Sequence, residues 1–196
     1  MTAEPGPRTT QERIQRLLSP ERLERLDPEV VLSLCQVDRH DTVADIGCGP
    51  GYFTLPLAKR LTHGKLYALD VDDDMLAACQ QRVATTRLGN VEVLKCGQYD
   101  FPLARGSLDW AFLGLVLHGA NLDKPRFLQA LGELLRPRGW CWILEWSRQD
   151  AAGGGPPLER LVDPDSLEAL ASKVGFEPRE WRRLNDDQYL MPLRRA

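Results

Sequence analysis

No stretch of this 196-residue chain stays apolar for long enough to cross a bilayer. Its first ten residues are polar and contain Pro5 and Pro7, so no secretory leader is expected. The five cysteines (Cys35, Cys48, Cys79, Cys96, Cys141) include no C-x-x-C pair and no histidine partner at metal spacing. A metal is therefore not expected, and the cysteines read as reduced, mostly buried thiols of a cytoplasmic protein. A formal net charge of −3 lacks the basic excess that a mainly electrostatic nucleic-acid binder needs. Arginines do gather near both ends (Arg8, Arg13, Arg16, Arg22, Arg25; Arg182, Arg183, Arg194, Arg195). Glutamates interleave the first group, which favours a solvated helix face over a binding patch.

Two nucleotide motifs are also missing. A dinucleotide fingerprint, G-x-G-x-x-G, would place its third glycine at Tyr52, too bulky for the tight helix–strand contact. No Gly-Lys-Ser/Thr sequence closes a P-loop. What is present is V-A-D-I-G-C-G-P-G over residues 43–51, a buried strand that carries an acid and opens into a glycine-rich turn. The glycines let the backbone approach a ligand, and the amides of the turn and following helix face whatever lies above the strand. A second apolar run, K-L-Y-A-L-D, ends at Asp70. An acid roughly twenty residues past the glycines suits a ribose clamp, because two carboxylate oxygens can accept from both vicinal hydroxyls. A plain cap or turn role for Asp70 is the competing reading.

The pattern D-x-G-x-G-x-G from Asp45 to Gly51, with Asp70 behind it, resembles the class I S-adenosylmethionine-dependent methyltransferases. The phrases L-R-P-R-G-W (135–140) and L-V-D-P-D-S-L…K-V-G-F (161–176) resemble their small-molecule, type 11-like branch. The resemblance implies an α/β, doubly wound, mostly parallel seven-stranded sheet with a C-terminal antiparallel hairpin, and S-adenosyl-L-methionine as cofactor. It also implies that Asp45, Gly47 and Gly49 serve the methionine part, that Tyr52 touches it, that Asp70 holds the ribose and that Val71 lies against adenine. The chain departs from the family after the third strand, where Gly97 stands in place of the acid that binds the adenine amino group. Gln98 is the first candidate to replace it, and Asp100 a less favoured one.

Hydrophobic periodicity predicts strands at 42–46, 65–70, 91–95, 108–114 and 140–146, with helices between them, and apolar strands of this kind belong to a sheet covered on both faces. A helix over 164–174 and strands near 180–184 and 188–193 follow. Thr9-x-x-Glu12 reads as a capping box, and Ser19-Pro20 and Asp27-Pro28 as caps with proline at the first helical position. Residues 1–26 are thus expected as a tail and helical cover, disordered up to about residue 8, and 27–196 as a single domain. Pro56 is expected to kink the first long helix, which starts near Tyr52.

Open α/β sheets place their ligands at the carboxyl ends of the central strands. His118, just beyond the fourth strand, is a candidate base, substrate anchor or loop-fixing residue. Glu145, ending the fifth, is a candidate for direct substrate contact or for pairing with Arg148 or another cation. Trp146, Trp110 and Tyr99 are candidates for an aromatic wall or for ordinary packing. Glycines and prolines over 149–157 suit a lid or a flexible connector. The function expected is methyl transfer to a small-molecule acceptor by in-line displacement. The alternative is a non-catalytic, cofactor- or partner-binding subunit, which the missing acid at position 97 favours. The sequence leaves the oligomeric state open.

Overall fold

The computed structural model describes residues 9–147 and 155–196. Three short helices come first: α1 (Thr10–Leu17), α2 (Pro20–Arg25) and α3 (Pro28–Ser33). Thr9 forms the capping box with Glu12, and Ser19 and Asp27 cap the next two helices with proline at their starts. β1 (Thr42–Ile46), α4 (Thr54–Arg60), β2 (Lys65–Asp70), α5 (Asp73–Ala84), β3 (Val91–Lys95), β4 (Leu108–Gly114), α6 (Lys124–Leu134) and β5 (Leu135–Trp146) then alternate. After a 3-10 turn (Leu158–Arg160) come α7 (Pro164–Lys173), β6 (Phe176–Pro178), β7 (Arg182–Arg183) and β8 (Gln188–Arg195).

The strands form one sheet in the order β3-β2-β1-β4-β5-β8-β6, with β7 paired to β8. β1 to β5 run parallel and β8 antiparallel to β5, so the expected mostly parallel sheet with an antiparallel end is present. Among the described residues it holds eight strands where seven were expected. The addition is β6, three residues too short to carry a periodic signal, and β7 is only two residues long. The helices cover both faces. Leu128, Leu131, Leu167 and Ala171 pack against one, and Val31, Leu32, Leu57 and Ala58 against the other. This two-sided burial is why the strands do not alternate polar and apolar residues.

Two local expectations change. α4 begins at Thr54, two residues later than expected, which puts Pro56 in the first turn. The N–H that proline lacks would be unbonded there in any case, so no kink follows. β5 starts at Leu135, earlier than the expected start at Trp140. The strand order reverses between β1 and β4, and a crevice opens there beyond their carboxyl ends.

Candidate active site

A cavity of about 1140 Å³ occupies that crevice, above the single-ligand range of roughly 300–1,000 Å³. Its floor is the glycine turn. Gly47, Gly49 and Gly51 all have positive φ (71°, 54° and 83°). A Cβ at Gly47 would lie 2.6 Å from Val116 Cγ2, and one at Gly51 2.9 Å from Cys79 Sγ. At Gly49 it would meet nothing within 4 Å, so the turn is packed at its ends and open at its middle. Arg82 on α5 braces it from below, donating from Nη1 to Pro50 O (2.9 Å) and Gly51 O (2.8 Å). The Cys48 thiol, inside the turn, is buried.

Asp70, at the end of β2, is 9% exposed. Its Oδ2 accepts from Gly49 N at 2.7 Å and its Oδ1 from Asp72 N at 2.9 Å. One carboxylate thus ties the turn to the neighbouring strand. Each oxygen keeps a further lone pair for a ligand. Val71, the next residue, lines the cavity as an exposed apolar side chain (54%). Asp45, ending β1, is 2% exposed and accepts from Thr54 Oγ1 at 2.7 Å. Burial pushes its carboxyl up to about 7, with the Asp70 charge adding to the rise and the Thr54 bond opposing it.

Tyr52 lines the cavity too, its hydroxyl donating to Leu26 O at 2.7 Å. Gly97 and Gln98 are exposed and are not among the cavity's lining residues. Gly97 N donates to Asp100 O (2.8 Å), closing a turn after β3. Of the residues expected at adenine, Val71 lines the cavity.

His118 lines the far wall. Its Nδ1 bonds Glu145 Oε1 at 2.8 Å, and its backbone N donates to Glu145 Oε2 at 3.3 Å. Trp146 N donates to Oε1 as well, at 2.8 Å. Glu145 is 0% exposed and does not line the cavity, which corrects its reading as a rim carboxylate in contact with substrate. It stands behind His118. With Nδ1 carrying the proton toward the carboxylate, Nε2 is left as the lone-pair nitrogen. Arg148, the other expected partner, and residues 149–154 of the expected lid lie outside the described residues. Pro156 and Pro157 line the cavity. Of the aromatic candidates, Trp146 lines it, Trp110 is buried in the core, and Tyr99 receives Asp123 N at 2.9 Å elsewhere.

The segment expected as a helical cover lies over the crevice as a roof; what sequence reasoning missed is that its arginines line it. α1 and α2 span the crevice, pinned at one end by Thr10 Oγ1–Asp74 (3.1 Å) and Arg13–Asp72 (3.2 Å). The other end is pinned by Arg25–Asp187 (3.6 Å) and Asn185 Nδ2–Arg25 O (3.2 Å). Arg13, Arg16, Arg22 and Arg25 all line the cavity; Arg13, Arg16 and Arg25 are exposed, as a solvated face requires, and Arg22 is half-buried. The available signal was their spacing: 13/16 and 22/25 are each three apart, on one side of a helix. Among the described residues no His/Cys/Asp/Glu cluster could hold a metal, and no helix is long and apolar enough to cross a membrane.

A family model described as a methyltransferase domain matches residues 43–139, from β1 through the start of β5. The demethylmenaquinone methyltransferase of Geobacillus kaustophilus is 26% identical over 126 residues, 64% of this chain and 53% of that protein. The enzyme of the same name from Bacillus mycoides is 30% identical over 113 residues, 56% of this chain and 46% of that one. The chain therefore spans about half the length of the curated relatives it matches. A SAM-dependent methyltransferase from Aquifex aeolicus superposes with a TM-score of 0.87 at 27% identity, over 96% of this chain and 100% of that one. The glycine turn, the acid ending β2 and the reversal of strand order beneath the cavity agree with these matches, and together they support a class I S-adenosylmethionine-dependent methyltransferase.

Proposed function

We propose that this chain moves the methyl group of S-adenosylmethionine onto a small-molecule acceptor held in the same cavity. The observation that carries the reading is the Asp70 carboxylate, fixed by Gly49 N and Asp72 N at the edge of an open glycine turn. That arrangement fits the cofactor: acceptor oxygens for ribose hydroxyls, an exposed apolar Val71 for a base, and open space above Gly49. The cofactor supplies a methyl group already activated on a sulfonium. The protein's part is to align an acceptor behind that methyl, which can be worth roughly 7–11 kcal/mol, and to keep water out. Residues 1–26 act as the cover of a single domain spanning 27–196.

His118 is the group placed to take a proton, with Nε2 as base and Glu145 as the positioning residue that fixes its tautomer. A base of this kind adds about 10²–10⁴-fold, so acceptors that carry a proton to lose depend on it most. The names of the curated relatives favour an acceptor of small-molecule size. The test is release of S-adenosylhomocysteine from S-adenosylmethionine across a panel of small phenols, amines, thiols and carbon acids. Acceptor-dependent release supports the reading. Tight cofactor binding with no release from any of the panel favours a non-catalytic subunit.

Asp45 makes the binding step sensitive to pH. Its folded pKa lies above the ordinary 3.8, so its contribution to stability is fully present below pH 3.8 and is lost as pH rises through about 7. A ligand ammonium on this side of the turn favours the ionised form. Affinity for S-adenosylhomocysteine is then expected to rise about tenfold from pH 6 to pH 8, as Asp45 loses its proton before binding. Asp45→Asn should bind more weakly, without that slope. A wild-type affinity that does not change over this range would remove Asp45 from the binding step.

A further inference from the structure

The roof brings charge into the cavity that the fold does not use up. Arg13 is committed to Asp72 and Arg25 to Asp187. Arg22 differs. Among the described residues its guanidinium meets no carboxylate. Nη1 donates to Leu17 O at 3.1 Å, and the group lies 4.2 Å above the centre of the Tyr52 ring. Burial pulls its pKa down to about 10, with the Arg16 charge acting the same way and Tyr52 opposing it. It therefore stays charged at neutral pH, partly desolvated and beside a second cation.

Such a cation is costly to hold without a counter-charge. A guanidinium has five N–H donors arranged as a planar fork, and Leu17 takes one. The remaining donors are matched to a carboxylate or phosphate, with charge-assisted bonds about twice as strong as neutral ones. Leu17, Tyr52 and Arg22 all line the cavity, so the open side of the fork is the ligand's side.

We propose that Arg22 is the anion receptor of this cavity, taking a carboxylate or phosphate of the ligand bound there. The inference rests on the methyl-transfer reading of the same cavity. Two ligands can bring that anion: the cofactor, through the α-carboxylate of its methionine part, or an acidic acceptor. In both cases a cationic roof closes over an anion, and α1 and α2 become part of the binding site.

Titration calorimetry on the full chain separates the sources. Wild type, Arg22→Lys, Arg22→Gln and Arg22→Met are titrated with S-adenosylhomocysteine and with its decarboxylated homologue. The same proteins, with and without S-adenosylhomocysteine, are titrated with benzoate, phenyl phosphate and neutral benzamide. Melting temperatures confirm that each variant is folded. If the cofactor brings the anion, wild type prefers S-adenosylhomocysteine over the decarboxylated homologue by at least about tenfold. Arg22→Met and Arg22→Gln lose that preference, and Arg22→Lys keeps part of it. If the acceptor brings it, benzoate or phenyl phosphate binds better than benzamide, and the same two variants lose that difference. Equal behaviour of wild type and Arg22→Met with every probe overturns the proposal and leaves Arg22 as a brace between α2 and Tyr52. Failure of wild type to bind S-adenosylhomocysteine contradicts the methyl-transfer reading instead, while the benzoate and phosphate arms still test Arg22.

Discussion

Asp70→Ala is expected to weaken binding of S-adenosylhomocysteine at least thirtyfold, about 2 kcal/mol or more. Two losses combine. The ribose hydroxyls lose a charged acceptor, and Gly49 N and Asp72 N lose the oxygens that accept from them at 2.7 Å and 2.9 Å. The second loss also frees the middle of the turn, because Asp70 is what ties Gly49 to β2. Asp70→Asn tests the same point with less change of shape. It replaces one oxygen by an amide NH2 that must face one of those two backbone donors, and it too should bind weakly. An affinity unchanged in Asp70→Ala would take the ribose away from this residue and leave it as a structural tie.

The second large effect falls on Glu145. Glu145→Ala leaves His118 Nδ1, His118 N and Trp146 N without the fully buried carboxylate that accepts from them. An unsatisfied buried donor costs about 1–3 kcal/mol, so a loss of at least about 3 kcal/mol of stability is expected. For a domain of this size that is a fall in melting temperature of roughly 6–12 °C. His118→Ala should be milder for the fold, because His118 faces the cavity. It should lower the methyl-transfer rate about 10²-fold or more while leaving affinity for S-adenosylhomocysteine nearly intact. The two variants thus separate the base from the residue that orients it. A large affinity loss in His118→Ala would make it part of the cofactor pocket.

The parts of this site that follow from local pattern are legible in the sequence. Asp45, the glycine turn and Asp70 sit at fixed offsets from strand ends, and strand ends are set by apolar runs that periodicity detects. The helix starts at Thr9, Ser19 and Asp27 are legible for a similar reason, since a cap acts within three residues of itself. What stays hidden depends on contacts between distant segments. Nothing in the pattern L-E-W says that Glu145 turns inward behind His118, because residues 118 and 145 meet only across β4 and β5. The arginines of α1 and α2 read as a solvated face because local charge alternation does not show what the helices lie over. The adenine role of Gly97 and Gln98 rests on alignment to a family pattern, because the turn from Gly97 to Asp100 is held by its own backbone bond and carries no periodic signal.

Calorimetric titration of the purified chain with S-adenosylmethionine, S-adenosylhomocysteine and NADH tests the central claim most directly. Micromolar binding of the first two and none of the third is the expected result. Binding of NADH, or of none of the three, would contradict it.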